Sequence, residues 1–314
     1  MKKEYLILVA LIVLLSAYLL VHKDGTEQVP LPEIAKIAVK DVTGLDIVKK
    51  DRKIQLKKTD NGWQITGLDR KADKAAVENM LDALKKLKIS ALVSEKSDLR
   101  RYELDPDNRI GVTVLGSGKS LLSFDMGKTA PTYNHTFVLL DKDTNIYHAA
   151  GSFRTYFDKS AQELRDKKVM EFKEKSLRSL TLKKGDTEKS FTASEEKKDD
   201  KKTELIWKTK DGKALDKQAM DDLISALAFL ECETFLGDGE IQGLKKEAPL
   251  AVISAGNGEA ITLTLVKKGG EDKITALSSM HQDAFVLSSF NSKDIMENMD
   301  KLLEIEKKEA PKAQ

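Results

Sequence analysis

Seventeen consecutive positions, Tyr5 to Val21 (YLILVALIVLLSAYLLV), carry neither charge nor proline, and this run predicts a transmembrane helix. At about 1.5 Å per residue it spans roughly 26 Å, close to a hydrocarbon core of about 30 Å. No good cleavage site follows: a cut after Ala17 places Leu15 at the −3 position, and a cut after Ser16 places Leu14 there. The first cysteine beyond the run is Cys232, which excludes lipoprotein processing near the N-terminus. An uncleaved signal anchor is therefore expected, with a cleaved secretory signal as the alternative. Lys2 and Lys3 precede the run, whereas His22, Lys23 and Asp24 follow it. The positive-inside rule then puts the N-terminus in the cytoplasm of a bacterial inner membrane, crossed once, with the body in the periplasm.

Beyond the run, hydrophobic spacing predicts two amphipathic helices of the same design. In the first, Val77, Met80, Leu81, Leu84 and Leu87 share a face; in the second, Met220, Leu223, Ile224, Leu227 and Leu230 do. Taken in order, the five pairs are each separated by 143 residues, as are the candidate N-cap residues Asp73 and Asp216. A tryptophan precedes each helix, Trp63 and Trp207. A leucine, a proline and a β-rich stretch follow each: Leu104, Pro106, Ile110 and Val112, answered by Leu244, Pro249, Leu250 and Val252. Phe137–Leu139 and Phe285–Leu287 repeat a Phe-Val-Leu strand. The body therefore reads as an internal repeat.

Alternating apolar positions mark the strands. In the first unit these are 37–39, 45–48, 54–56 and 63–65, with a turn at Asp60, Asn61 and Gly62, then 110–115, 121–126, 136–140 and 146–149. Phe153, Tyr156, Phe157 and Leu164 are expected to line a closing helix. The second unit opens at 177–182, and the run EEKKDDKK at 195–202 is expected to form an exposed hairpin insertion before 205–207. Strands at 260–266, 274–277 and 284–287 follow, and Ile295, Met299, Leu302 and Leu303 line a last helix. The expected fold class is α+β: a transmembrane helix, then two repeated units of antiparallel sheet with packed helices. The expected divisions are 1–24 for the cytoplasmic tip and anchor, 25–34 for a linker, 35–168 and 169–304 for the repeat units, and 305–314 for a disordered tail.

Composition narrows the chemistry. The chain has 314 residues, of which 53 are Lys or Arg and 51 Asp or Glu, for a net charge of +2; no basic field of the kind nucleic acid requires is present. Cys232 stands alone, so stability rests on cores rather than an internal disulfide, and its apolar setting reads as a buried, inert thiol. Gly127-Lys128-Thr129 and Gly118-Lys119-Ser120 resemble the end of a phosphate-binding loop, but Leu122 and Thr113 occupy the positions where that loop needs glycine. They read as strand ends and turns. Asp141, Asp143 and Asn145 imitate the start of a calcium loop, yet Ile146 and Ser152 stand where glycine and the bidentate glutamate belong. A hairpin turn explains them, as a turn explains Asp105-Pro106-Asp107-Asn108. His135, His148 and His281 are dispersed among strands, and no pair has zinc-motif spacing. No serine sits in a recognisable nucleophile turn. No catalytic, metal-binding or cofactor-binding residue is therefore assigned.

The order of features resembles the bacterial domain-of-unknown-function family DUF4340. The matching residues are Trp63, the Ala72-Asp73 helix start, Leu81-Leu84-Leu87, Tyr102-Glu103-Leu104-Asp105-Pro106 (family pattern close to Y-G-L-x-P), Met126-Gly127-Lys128, Tyr133, Phe137-Val138, Ile146-Tyr147 and Leu164-Arg165-Asp166-Lys167. The resemblance covers roughly 35–300, most specifically 63–167. Glu103 departs from the family's glycine, and the second unit has no evident Arg-x-Lys. The resemblance implies two tandem copies and no established activity. From the company such proteins keep, it also implies an envelope component linked to an ABC-type transport system of the gliding-associated kind.

It singles out Arg165, Asp166 and Lys167 as one dense polar group, read as salt bridging at the junction of the units, with ligand binding as the alternative. The residues expected to matter structurally are Trp63, Asp73, Leu84, Arg165, Lys167, Trp207, Asp216 and Leu227. The leading expectation is a non-enzymatic, membrane-anchored accessory or scaffolding subunit, attached to the membrane through residues 5–21 and holding a membrane-protein partner. A binding module for a glycan, lipid or peptide is the alternative, and a hydrolase is third.

Overall fold

The computed structural model describes residues 3–21, 30–95, 98–199, 202–212, 215–244, 246–257, 259–267 and 273–304. The expected tail at 305–314 and most of the expected linker at 25–34 lie outside them. Helix α1 (Lys3–Val21) forms over the N-terminal apolar run, and Leu8, Leu11 and Leu14 are exposed on it. Among the described residues, however, no helix is long and apolar enough to cross a membrane. Lys3 and Glu4 lie in α1 ahead of the apolar run, and the run's roughly 26 Å, near as it comes to a core of about 30 Å, stops short of it. This corrects the expected transmembrane helix, the signal anchor and the single-pass inner-membrane location with a periplasmic body.

The fold class needs correction as well. Of the described residues, 41% lie in strands and 27% in helices, so antiparallel sheet dominates. The chain divides into two compact units, 1–164 and 165–314.

In the first unit the chain runs β1 (Gly44–Lys49), β2 (Arg52–Thr59), β3 (Gly62–Ile65), β4 (Arg70–Lys71), α2 (Lys74–Lys85), β5 (Ile89–Ser94), β6 (Ile110–Gly116), β7 (Lys119–Thr129), β8 (His135–Leu140), β9 (Ile146–Ala150) and α3 (Arg154–Phe157). The strands form one sheet in the order β4-β3-β2-β1-β6-β7-β8-β9-β5. The turn predicted at Asp60 to Gly62 closes β2 on β3, with Thr59 opposite Gly62 and Gly62 at φ +106°, where a side chain would be strained. Alternation fixes the register: Ile110, Val112 and Val114 of β6 all face the core. Val77, Met80, Leu81 and Leu84 of α2 cover it.

Two local predictions fail. Residues 37–39 are not a strand; a 3₁₀ turn forms at Val39–Asp41 with Ile37 buried ahead of it. The closing helix stops after Phe157, because Ser160 and Glu163 form a reciprocal capping box that starts a new turn, the Ser160 N–H donating to the Glu163 carboxylate and the Glu163 N–H to Ser160 Oγ. Phe153, Phe157 and Leu164 still reach the core.

The second unit contains β10 (Lys168–Glu171), β11 (Ser179–Lys184), β12 (Thr187–Asp199), β13 (Lys202–Thr209), α4 (Lys217–Ala228), β14 (Phe229–Glu231), β15 (Thr234–Phe235), α5 (Asp238–Leu244), β16 (Ala251–Asn257), β17 (Glu259–Lys267), β18 (Ile274–Ser278), β19 (Phe285–Val286) and α6 (Ser289–Glu304). Its main sheet runs β13-β12-β11-β16-β17-β18-β19-β15, while β10 and β14 pair separately. Leaving out β4, the two large sheets have the same order position for position. The EEKKDDKK run lengthens the β12–β13 hairpin, with Glu196 opposite Glu204 and Asp199 opposite Lys202; its tip lies outside the described residues. Met220, Leu223, Ile224 and Leu227 of α4 pack with Ile295, Met299 and Leu302 of α6 in the core.

Asp73 and Asp216 cap α2 and α4 in the same way, each side chain accepting the N–H three residues on, from Ala76 and Ala219. Losing either cap leaves a helix-end N–H without its partner. Asp73→Ala and Asp216→Ala are each expected to cost about 1 kcal/mol in urea unfolding, and two equal losses would mark equivalent positions.

Candidate functional site: two clusters of family-marking residues

The first cluster lies on one face of the first unit's sheet. On β8, Val138 points into the main core while Phe137 and Leu139 point to the opposite face, as the two-residue period of a strand requires. On β9, Tyr147 and Ile146 divide in the same way. The second face is covered by the segment from Leu99 to Leu104. Leu104 is fully buried there with Phe137 and Ile146, and the Tyr102 ring lies 4.8 Å from that of Phe137. This segment runs so close to β7 that a Cβ on Gly127 would sit 2.2 Å from the Tyr102 carbonyl oxygen. Glu103, in place of the family's glycine, adopts a left-handed conformation at φ 55° and reaches Arg154 at 3.6 Å. The Y-x-L and M-G-K motifs, with Phe137 and Ile146, are thus parts of one packed face. Tyr133 is exposed and stands apart from it.

The same face brings together histidines that the sequence leaves dispersed. His148 pairs directly opposite Phe137 across β8 and β9, and His135 opposite Ala150, which makes the two imidazoles diagonal neighbours. Their rings stack at 5.1 Å, and His148 lies 4.8 Å from Phe137. Among the described residues, Nε2 of His148 is buried without a hydrogen-bond partner. Burial, and then the neighbouring His135, lower the pKa of His148 below its ordinary 6.5. The folded protein therefore binds fewer protons than the unfolded chain as pH falls through 6.5, and stability is lost in that direction. Melting curves between pH 7.5 and 5 should fall more steeply for the wild type than for His148→Phe.

The second cluster belongs to the second unit. Arg165 is 5% exposed, and its Nη2 donates to Asp283 Oδ2 at 2.5 Å. Its guanidinium carbon lies 3.5 Å from the centre of the Phe235 ring, and His281 stacks against the same ring at 4.8 Å. The Asp283 N–H donates to Nδ1 of His281. Pairing of β15 with β19 sets Phe235 opposite Phe285, two residues beyond Asp283. Lys167 Nζ donates to the Glu233 carbonyl at 2.9 Å, and its own carbonyl accepts the Cys232 N–H. Asp166 accepts the Lys168 N–H. Of the triplet expected to form salt bridges at the junction of the units, Arg165, the first residue of the second unit, makes an ion pair, with Asp283. Burial pushes the Cys232 thiol up to about 11, so it is protonated at neutral pH and a poor nucleophile.

The remaining sequence-selected residues hold the two cores. Trp63 packs at the edge of the first and Trp207 is buried in the second; Leu84 and Leu227 are buried in their helix faces. The carboxylate of Asp143 accepts from the Thr144 and Asn145 N–H groups and the Tyr147 hydroxyl, as a hairpin turn requires. Among the described residues no group of three or more His, Cys, Asp or Glu is placed to hold a metal ion. Phe235, His281 and Asp283 were not predicted as partners of Arg165; Asp283 lies 118 residues from it, and nothing local in the sequence signals that contact.

Residues 63–250 match the family described as domain of unknown function DUF4340. That is more than half of the chain, which belongs to this family. The match runs across the division between the two units. No curated protein matches the chain, and no solved structure does.

Proposed function

We propose that this chain is a non-enzymatic accessory or scaffolding subunit, built from two copies of one sheet-and-helix unit, that works by holding a partner protein. One observation carries the reading: most of the residues that mark the family are spent on internal contacts. Tyr102, Leu104, Gly127, Phe137 and Ile146 build a packed face, while Arg165 and Lys167 are taken by Asp283 and the Glu233 carbonyl. Side chains used in holding a fold point to surfaces, rather than reacting groups, as the working parts. The matching strand orders support duplication. The family resemblance makes components of an ABC-type transport system the first class of partner to look for.

The test is affinity recovery of partners with the tagged full chain from its native host. His135, His148, His281 and Cys232 are replaced one at a time by alanine. Each folded variant is expected to recover the same partner at the wild-type level. A folded variant that loses it would overturn the reading and locate chemistry at that side chain.

A further inference from the structure

The chain has ten phenylalanines. Seven are buried and Phe172 packs against a core, whereas Phe229 and Phe290 are 64% and 77% exposed. One exposed apolar side chain is ordinary on a protein surface, but these two come to one place. Phe229 opens β14, and Phe290 lies in the first turn of α6. Asn291, the next residue, donates its Nδ2 to the Glu231 carbonyl at 3.2 Å, which fixes the start of α6 against β14. The duplicated unit does not demand an aromatic here. At 143 residues before Phe229 stands Lys86, exposed where α2 ends.

Strands β10 and β14 pair as a two-stranded ribbon, with Phe229 opposite Glu171 and Glu231 opposite Lys168. Leu230 and Met170 turn into the core, so alternation leaves Phe229 and Glu231 together on the open face. Lys168 Nζ pairs with Glu171 at 3.1 Å. Among the described residues the Glu231 carboxylate has neither a hydrogen bond nor an ion pair of its own. The open face therefore presents two exposed rings and a carboxylate whose opposite cation is already taken. A guanidinium matches that combination, because its planar fork bonds a carboxylate and its face stacks on an aromatic ring, whereas an ammonium brings only a point charge.

We propose that the open face of β10 and β14, with the first turn of α6, docks a segment of a partner protein that presents an arginine among apolar side chains. The guanidinium pairs with Glu231, and the apolar neighbours cover Phe229 and Phe290. Aromatic and arginine anchors ringed by polar contacts carry most of the affinity in interfaces of this kind. The inference rests on the association reading above and names the surface and the chemistry of its occupant.

A labelled amphipathic helical peptide of leucine and arginine is titrated against the full chain, beside counterparts in which lysine or glutamate replaces arginine. Phe229→Thr, Phe290→Gln, Glu231→Gln and Glu231→Arg accompany the wild type. The three positions are exposed, and threonine and glutamine suit strand and helix, so each variant is expected to keep the wild-type melting temperature. The wild type is expected to prefer the arginine peptide to both counterparts. Each phenylalanine variant and Glu231→Arg should bind that peptide at least about tenfold more weakly, and Glu231→Arg should gain affinity for the glutamate peptide. If Glu231→Arg disturbs the fold, Glu231→Gln supplies the loss. A wild type that binds none of the peptides, or binds arginine and glutamate peptides equally, would overturn the proposal, as would folded variants that bind like the wild type. Concentration-dependent dimers lost in Phe290→Gln would overturn it by giving the face to a second copy, and binding to phosphatidylcholine vesicles lost in Phe229→Thr would give it to a lipid surface. A folded Phe229→Thr, Phe290→Gln double variant that still recovers the cellular partner would overturn this face and leave association standing. A wild type that binds the arginine peptide as expected but recovers no partner would overturn the association reading and leave the face.

Discussion

Replacing Arg165 with methionine is expected to destabilise the second unit by about 3–5 kcal/mol, because it removes the guanidinium that pairs with the buried Asp283 carboxylate. Both side chains are nearly excluded from water, at 5% and 6% exposed, so solvent cannot take over the role of the guanidinium. Adding Asp283→Leu should restore most of the loss, since a buried ion pair is commonly replaceable by apolar groups of similar volume. A methionine side chain can also pack against Phe235, where the guanidinium now lies. Denaturant unfolding of the two single variants and the double variant supplies the cycle. A single variant within about 0.5 kcal/mol of wild type would show that the pair does not hold this unit together.

Gly127→Ala is expected to cost about 3 kcal/mol, toward the upper end of what forced overpacking costs. The new Cβ would meet the Tyr102 carbonyl oxygen at 2.2 Å and Leu104 Cγ at 3.0 Å. The first obstacle is backbone and cannot rotate away, so the Leu99–Leu104 segment must lift from the sheet and expose Phe137 and Ile146. Gly237→Ala is the control: no atom lies within 4 Å of its added Cβ, and its stability should stay within about 0.5 kcal/mol. Equal melting temperatures for the two variants would contradict the close approach over Gly127.

The parts of the fold legible in the sequence are those set by local periodicity. Helices α2 and α4 follow from apolar residues three and four apart behind an aspartate cap, and β6 follows from alternation at Ile110, Val112 and Val114. The apolar positions Phe153, Tyr156, Phe157 and Leu164 predict a longer helix than α3, and the Ser160–Glu163 box outweighs that spacing. The N-terminal run shows the limit of reading length alone, since its roughly 26 Å comes near a hydrocarbon core of about 30 Å without reaching it. For the candidate sites, Arg165 and Lys167 were visible only through a family resemblance. The His135–His148 stack depends on strand register, and the Asp283 partner on long-range packing; no window of sequence contains either.

The roles of Asp73 and Asp216 connect these levels. A sequence offset of 143 residues predicts equivalent caps, the structure gives both the same bond, and the sheets that the capped helices cover share a strand order. Glu103 is the counterpart where this chain departs from its family. A left-handed position usually held by glycine is kept by a glutamate that reaches Arg154.

The central claim is that the family-marking residues build the units while the chain acts by association. The most direct measurement is partner recovery by the tagged full chain carrying Arg165→Met and Asp283→Leu together, with its melting temperature measured in parallel. A refolded, stable double variant that recovers the partner at the wild-type level is the predicted result. A double variant equally stable but unable to recover it would contradict the account, because Arg165 would then act through its charge on something other than Asp283.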